Sequence, residues 1–181
     1  AASVGSEFGA ALAADDDASV LVVGAPGVAQ AVVYTWDSAW NLARTLESPN
    51  GDGSTFGRAV AVSDDGQWVA VGDPTASMVR VFSLGETAVF HDVLGSDVGA
   101  AGRFGFSVAI EDDVLLVGSP AQDAVHGFIG NAEEGFFYAG PIEQPWEGFG
   151  SSIALEDRRF AIGATSDELS DSAGWVGTFD D

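Results

Sequence analysis

The sequence predicts an all-β fold made of four repeated units, and three observations lead there. Phe-Gly pairs fall at residues 8, 56, 104 and 149, so their spacings are 48, 48 and 45 residues. Each pair opens the same succession of parts, seen best in FGRAVAVSDDGQWVAVGDP from Phe56 to Pro74. Helical periodicity is sustained nowhere, whereas short apolar runs punctuated by Asp, Gly and Pro recur throughout. A period of this size, with several short strands per unit, is the mark of a β-propeller or a related array. On this reading the 181 residues form a single propeller domain with blades at about 8–47, 56–94, 104–142 and 149–181.

Each unit starts with a run of small apolar residues: Ala10 to Ala13, Ala59 to Val62, Ser107 to Ile110, Ser151 to Leu155. Side chains this small suit strands crowded near a central axis. Acidic turns follow at Asp15-Asp16-Asp17, Asp64-Asp65-Gly66, Glu111-Asp112-Asp113 and Glu156-Asp157, where Asp and Gly fit a tight hairpin. The second strands, Val20 to Val23, Trp68 to Val71, Val114 to Val117 and Phe160 to Ile162, are continuous apolar runs, as expected of strands covered on both faces. They end at Gly24, Gly72, Gly118 and Gly163, where glycine permits a positive φ or a close backbone approach, and Pro commonly follows to stop the strand.

Third strands are expected at Ala31 to Trp36, Met78 to Ser83, Ala124 to Ile129 and Gly174 to Phe179. Fourth strands are expected at Trp40 to Glu47, Ala88 to Leu94 and Phe136 to Ile142, and the fourth unit shows none before Asp181. Three outcomes stay open: an arc of a larger propeller, an imperfect four-blade ring, or a ring completed by self-association or a partner chain. Because the Phe-Gly phenylalanines repeat at one structural position, all four are expected as core wedges between neighbouring blades.

The charge is lopsided, with 28 Asp and Glu against six Arg and no Lys, for a net charge of −22. Phosphates and anionic membrane surfaces would repel such a chain, which excludes nucleic acid as a partner. No apolar run is long enough for membrane insertion. Excess acid without Lys fits a saline (halophilic) or extracellular setting, and it equally fits an ordinary acidic surface. The chain has no Cys, so no disulfide framework exists. Its first residues, AASVGSE, lack the regions of a signal peptide, as expected of a mature form or a piece of a longer chain.

No catalytic set emerges, and the expectation is a non-enzyme. His91 and His126, the only histidines, sit in strands without the spacing of a transition-metal site. There is no G-x-S-x-G elbow, and Gly51-Asp52-Gly53 with Gly57 fails the spacing of a phosphate loop. Adjacent acids in turns are expected to point into water. Among the tryptophans, Trp68 and Trp175 lie in apolar strands and are expected in the core. Trp40 and Trp146 flank strand ends among polar residues and are the candidates for a sugar-stacking platform.

The pairing of Phe8-Gly9 with Gly24-Ala25-Pro26 across one hairpin, echoed three more times, resembles the FG-GAP repeat of integrin α-subunit propellers. A likeness of the second unit to WD repeats is weaker, since the Gly-His and Trp-Asp marks are missing. The resemblance implies a cell-surface or extracellular module for recognition, adhesion or scaffolding, binding a protein partner on loops after the second and fourth strands. The candidate residues there are Asp73, Thr75, Gln122, Asp123, Asp167, Glu168 and Asp171. Repeats of that family also tend to carry calcium in the first hairpin. Here the two signature glycines lie only 15, 15, 13 and 13 residues apart, too close for an Asp-x-Asp-x-Asp-Gly loop between them. No metal or other cofactor is therefore expected, with Asp15 and Asp17 as weak candidates for an ion. A glycan is the alternative ligand, and an accessory domain of a larger secreted enzyme is a third reading.

Overall fold

The computed structural model describes residues 4–85, 90–99, 102–131, 135–165 and 173–178. Among these residues the strands form four antiparallel sheets, each running in chain order. The first sheet holds β1 (Leu12–Ala14), β2 (Val20–Ala25), β3 (Gln30–Trp36) and β4 (Trp40–Glu47). The second holds β5 (Ala59–Val62), β6 (Trp68–Asp73), β7 (Met78–Ser83) and β8 (Phe90–Leu94). β9 (Ser107–Glu111), β10 (Val114–Ser119), β11 (Ala124–Asn131) and β12 (Gly135–Glu143) make the third. The fourth comprises β13 (Phe149–Glu156), β14 (Arg159–Ala164) and β15 (Ala173–Thr178). These are four propeller blades, the last with three strands. The expected third-strand end Phe179 and the start of the fourth strand at Ala88 lie outside the described residues.

Local chemistry explains the blade outlines. In the second hairpin Ser63 Oγ donates to Asp65 Oδ1 at 2.6 Å and accepts from the Trp68 amide at 3.0 Å, while Asp65 also accepts from the Gln67 amide at 2.9 Å. That side-chain mimicry of a turn lets β5 and β6 meet, with Val62 opposite Val69 and Ala61 opposite Ala70. Pro26 and Pro120 stop β2 and β10 and open short 3₁₀ turns, Pro26–Val28 and Pro120–Gln122. Each turn ends on a left-handed residue, Ala29 or Asp123, both with φ of 53°.

The core is split into three clusters, one between each pair of successive blades. At the second joint Ala59, Ala61, Ala70, Val79, Val81 and Val93 of the second blade meet Phe104, Val108, Ile110, Leu115 and Val117 of the third. At the third joint Ala109, Leu116 and Val125 of the third blade meet Phe149, Phe160 and Ile162 of the fourth. Phe56, Phe104 and Phe149 are fully buried wedges. Phe8 departs from the expectation. It is 42% exposed, because no blade among the described residues covers the entering face of the first blade.

The paired glycines supply the backbone part of the joint. Gly57, Gly105 and Gly150 take φ values of 91°, 87° and 90°, which a side chain would resist. Their amides or neighbours pair within the blade, as Gly57 N–H to the Gly72 carbonyl and Gly105 N–H to the Gly118 carbonyl, both 3.1 Å. Their own carbonyl oxygens point back at the preceding blade and fill the space that a Cβ would need on Gly24, Gly72 and Gly118. The glycines closing the first three second strands, Gly24, Gly72 and Gly118, are thus required for close approach and not for positive φ.

No core joins the fourth blade to the first among the described residues. β14 shows the consequence: Phe160 and Ile162 are buried against the third blade while Ala161 between them is exposed. The expectation that every second strand is covered on both faces fails there for that reason.

Candidate interaction surfaces

The loops after the second strands were expected to present polar residues to a partner. Asp73 does not: it is fully buried at the end of β6. Its Oδ1 accepts from the Thr55 amide at 3.1 Å and Thr75 Oγ1 at 2.8 Å, and its Oδ2 accepts from Asn50 Nδ2 at 3.3 Å. A carboxylate so engaged holds the incoming linker against its blade and faces no solvent. Thr75 remains exposed, with its hydroxyl 3.1 Å from Thr55 Oγ1. In the third blade Gln122 is exposed, its Nε2 donating to the Gly99 carbonyl at 3.1 Å and its Oε1 accepting from Ser119 Oγ at 3.1 Å. Asp123 is half-buried and accepts from the Gly148 amide at 2.6 Å. The loops are therefore stitched to the linkers between blades before any partner arrives. Asp167, Glu168 and Asp171 lie outside the described residues.

At the hairpin tips two acids are not solvated as the sequence implied. Asp15 is buried, its Oδ2 accepting from Ser19 Oγ at 2.6 Å and its Oδ1 from the Val20 amide at 2.8 Å. Glu111 is also buried and accepts from the Asp157 and Arg158 amides of the next blade, at 2.6 and 3.3 Å. Both carboxylates replace missing turn hydrogen bonds, which takes them out of water. Asp17 is exposed. Asp64 is pushed up to about 6, first by burial, then by the charges of Asp16, Glu111 and Glu156 and by a hydrogen bond with Glu111. Among the described residues no group of three or more acids, histidines or cysteines is placed to hold a metal ion.

The aromatic candidates separate cleanly. Trp40 is exposed and meets Trp36 edge-on, ring centroids 5.3 Å apart, where β3 turns into β4. Trp36 was not singled out by sequence, although a tight hairpin centred on Ser38 places it opposite Trp40. Trp146 instead packs beside Phe149, centroids 6.0 Å apart, in the third joint. Trp68 lies half-buried against the second joint, and the Trp175 side chain is outside what is described. His126 is buried against Phe104, with Nδ1 3.2 Å from the Tyr138 hydroxyl. Burial lowers its pKa, opposed by Glu143, so it is held neutral.

The blade surfaces at the two ends of the arc differ in kind. The entering face of the first blade carries Phe8, Leu12, Trp36, Trp40 and Leu42, all exposed. The leaving face of the fourth carries exposed Ser152, Ala154 and Ala161 beside Gly163.

This architecture is a β-propeller arc, and known proteins place it there independently. Hydrazine synthase of Kuenenia stuttgartiensis superposes with a TM-score of 0.71 at 9% identity, over 95% of this chain and 47% of that one. U3-55K gives 0.68 at 14% identity, over 93% and 51%. The Cps50 (Swd1) β-propeller domain of Myceliophteria thermophila gives 0.61 at 12%, over 87% and 50%. The chain spans about half the length of each. Residues 91–138 match the FG-GAP repeat family, a stretch that starts in β8 and ends in β12 and so spans the second joint. The fold is that of a β-propeller, and residues 91–138 are similar to the FG-GAP repeat. No curated protein matches it by sequence. No helix among the described residues is long and apolar enough to cross a membrane.

Proposed function

We propose that this chain is a non-catalytic recognition module of the cell surface or extracellular space, holding a protein partner on its blade loops. The observation that carries this reading is the stitching of those loops. Asp73, Gln122 and Asp123 spend their hydrogen bonds on the linkers Asn50–Thr55, Gly99 and Gly148, so Thr75 and Gln122 are offered from a rigid rim. A preordered loop loses little entropy on binding, which is what a recognition surface on a stiff scaffold needs. The FG-GAP repeat at 91–138 supports the same class. The test is capture of secreted or surface proteins from the source cells on immobilised chain, beside a Thr75→Arg/Gln122→Arg double variant. A partner lost by the variant is expected; binding indifferent to it would refute the rim as the site.

A second reading is favoured by the exposed Trp36–Trp40 pair, whose indole faces suit a sugar ring. A glycan array returning hits that Trp40→Ala abolishes would replace the first reading with this one.

A further inference from the structure

We propose that the third blade binds a neutral sugar unit, in the cavity floored by His126 and bordered by Tyr138 and Glu143. The site is separate from the Trp36–Trp40 pair and goes beyond the protein partner of the rim loops, depending on neither. Its lining belongs to the third blade and the linker that enters it, away from both ends of the arc.

The cavity holds about 190 Å³. That is below the roughly 300–1,000 Å³ of sites for drug-sized ligands, so it suits a single ring. Its floor is buried, with Ala124 2% and His126 5% exposed, while Tyr138 and Glu143 at its mouth are exposed. One wall is fixed where Gln122 Nε2 donates to the Gly99 carbonyl at 3.1 Å. Strand pairing sets Glu143 across from Ala124, and Pro141 across from His126. A bulge brings in the aromatic ring. Tyr138 pairs with Phe128 and Gly140 with Gly127, leaving Ala139 unpaired, so Tyr138 shares a face with Pro141 three residues later. Its ring lies against His126, centroids 5.9 Å apart.

The second blade shows why this space is open. Arg80 and His126 each stand eight residues after the glycine that closes their second strand, Gly72 or Gly118. Arg80 fills its place: it reaches Asp92 across β7 and β8 and lies 4.2 Å from the Phe90 ring centroid. His126 is shorter, and Pro141 stands at the register position of Asp92. The third blade therefore has neither the long side chain nor the acid that would close the gap.

A polar orphan marks the floor. His126 Nδ1 is engaged by the Tyr138 hydroxyl at 3.2 Å, whereas its buried Nε2 has no hydrogen-bond partner. Such an atom is costly until something pairs with it. The ring is neutral, because burial outweighs the charge of Glu143, so Nε2 is an N–H or a lone pair according to the tautomer. A hydroxyl both donates and accepts, and it completes either form. An anion would meet Glu143 and a chain charge of −22. A metal ion would lack ligands, since no group of three or more acids, histidines or cysteines is placed for one among the described residues. Several hydroxyls on one ring answer the whole site. One pairs with Nε2, neighbours donate to the Glu143 carboxylate, and the open Tyr138 ring takes the C–H face.

Titration of the 181-residue chain, ¹⁵N-labelled at histidine, with glucose, galactose, mannose, fucose and N-acetylglucosamine tests this. His91 and His126 are the only histidines, so two imidazoles share the spectrum. At least one sugar should shift the His126 Nε2 signal saturably below roughly 100 mM, a range that reaches sites far weaker than about 1 mM. Glu143→Ala, at an exposed position, should keep its circular dichroism and Tm, yet weaken that sugar at least ~10-fold, about 1.4 kcal/mol. No shift with any of these sugars would leave Nε2 to an ordered water and overturn the proposal. A shift indifferent to Glu143→Ala, or changes confined to the indole signals of Trp36 and Trp40, would overturn it equally.

Discussion

The carbonyl oxygen of Gly105 occupies the space that a Cβ on Gly72 would need, although the two residues belong to different blades. The contact is backbone against backbone, so no rotamer change can relieve a substitution. Gly72→Ala and Gly118→Ala are expected to lose about 2–3 kcal/mol by overpacking. Urea denaturation measures this, and a loss of under about 0.5 kcal/mol at both positions would show that the joint yields.

The four phenylalanines should divide three to one. Phe56→Ala, Phe104→Ala and Phe149→Ala each empty a fully buried site and should cost about 3–5 kcal/mol. Phe8→Ala, at a side chain 42% exposed, should stay within about 0.5 kcal/mol in the single chain. Equal losses at all four positions would mean that Phe8 is covered in solution.

Asp73 should behave as a structural acid. Asp73→Ala leaves the Thr55 amide and the Thr75 hydroxyl without their acceptor and should cost about 1–3 kcal/mol. Hydrogen exchange of residues 50–55 should accelerate while the strand amides of β6 stay protected. Unchanged exchange there would disconnect Asp73 from the linker.

For Asp64 the folded-state value of about 6 stands above the ordinary 3.8. The folded protein therefore binds this proton more tightly than the unfolded chain between those values, and the residue costs stability as pH rises through them. Asp64→Asn should raise Tm at pH above about 7 and leave Tm almost unchanged near about pH 4. A gain independent of pH, read from thermal melts across that range, would assign the effect to packing.

Salt bears on the whole surface. With a net charge of −22 and no Lys, the folded chain repels itself, and Tm should rise by several degrees from dilute buffer to molar NaCl. A flat profile would leave an ordinary acidic protein with no adaptation to brine.

Sequence revealed the blades because the Phe-Gly corner is a local pattern, written once per unit. It could not reveal that Phe8 is uncovered, since that copy reads like the others and differs only in what stands beside it in space. Asp73 looked like a loop acid because its acceptor role depends on Asn50 and Thr55, 23 and 18 residues earlier, brought near only when β6 and the linker pack. Trp146 was legible in hindsight: three residues before a wedge phenylalanine, it folds back onto Phe149. The positive φ of the Phe-Gly glycines was hidden by the second-strand glycines, which offered the same explanation from the same residue type.

Main-chain atoms close each of the three joints, so the close approach from one unit to the next depends on the glycines at the contact and not on the larger side chains around them. Mutation of the surrounding side chains changes how well a wedge is filled, but the approach survives. A lineage built this way can gain or lose whole units by duplication and deletion, each newcomer inheriting a fitting already cut to size.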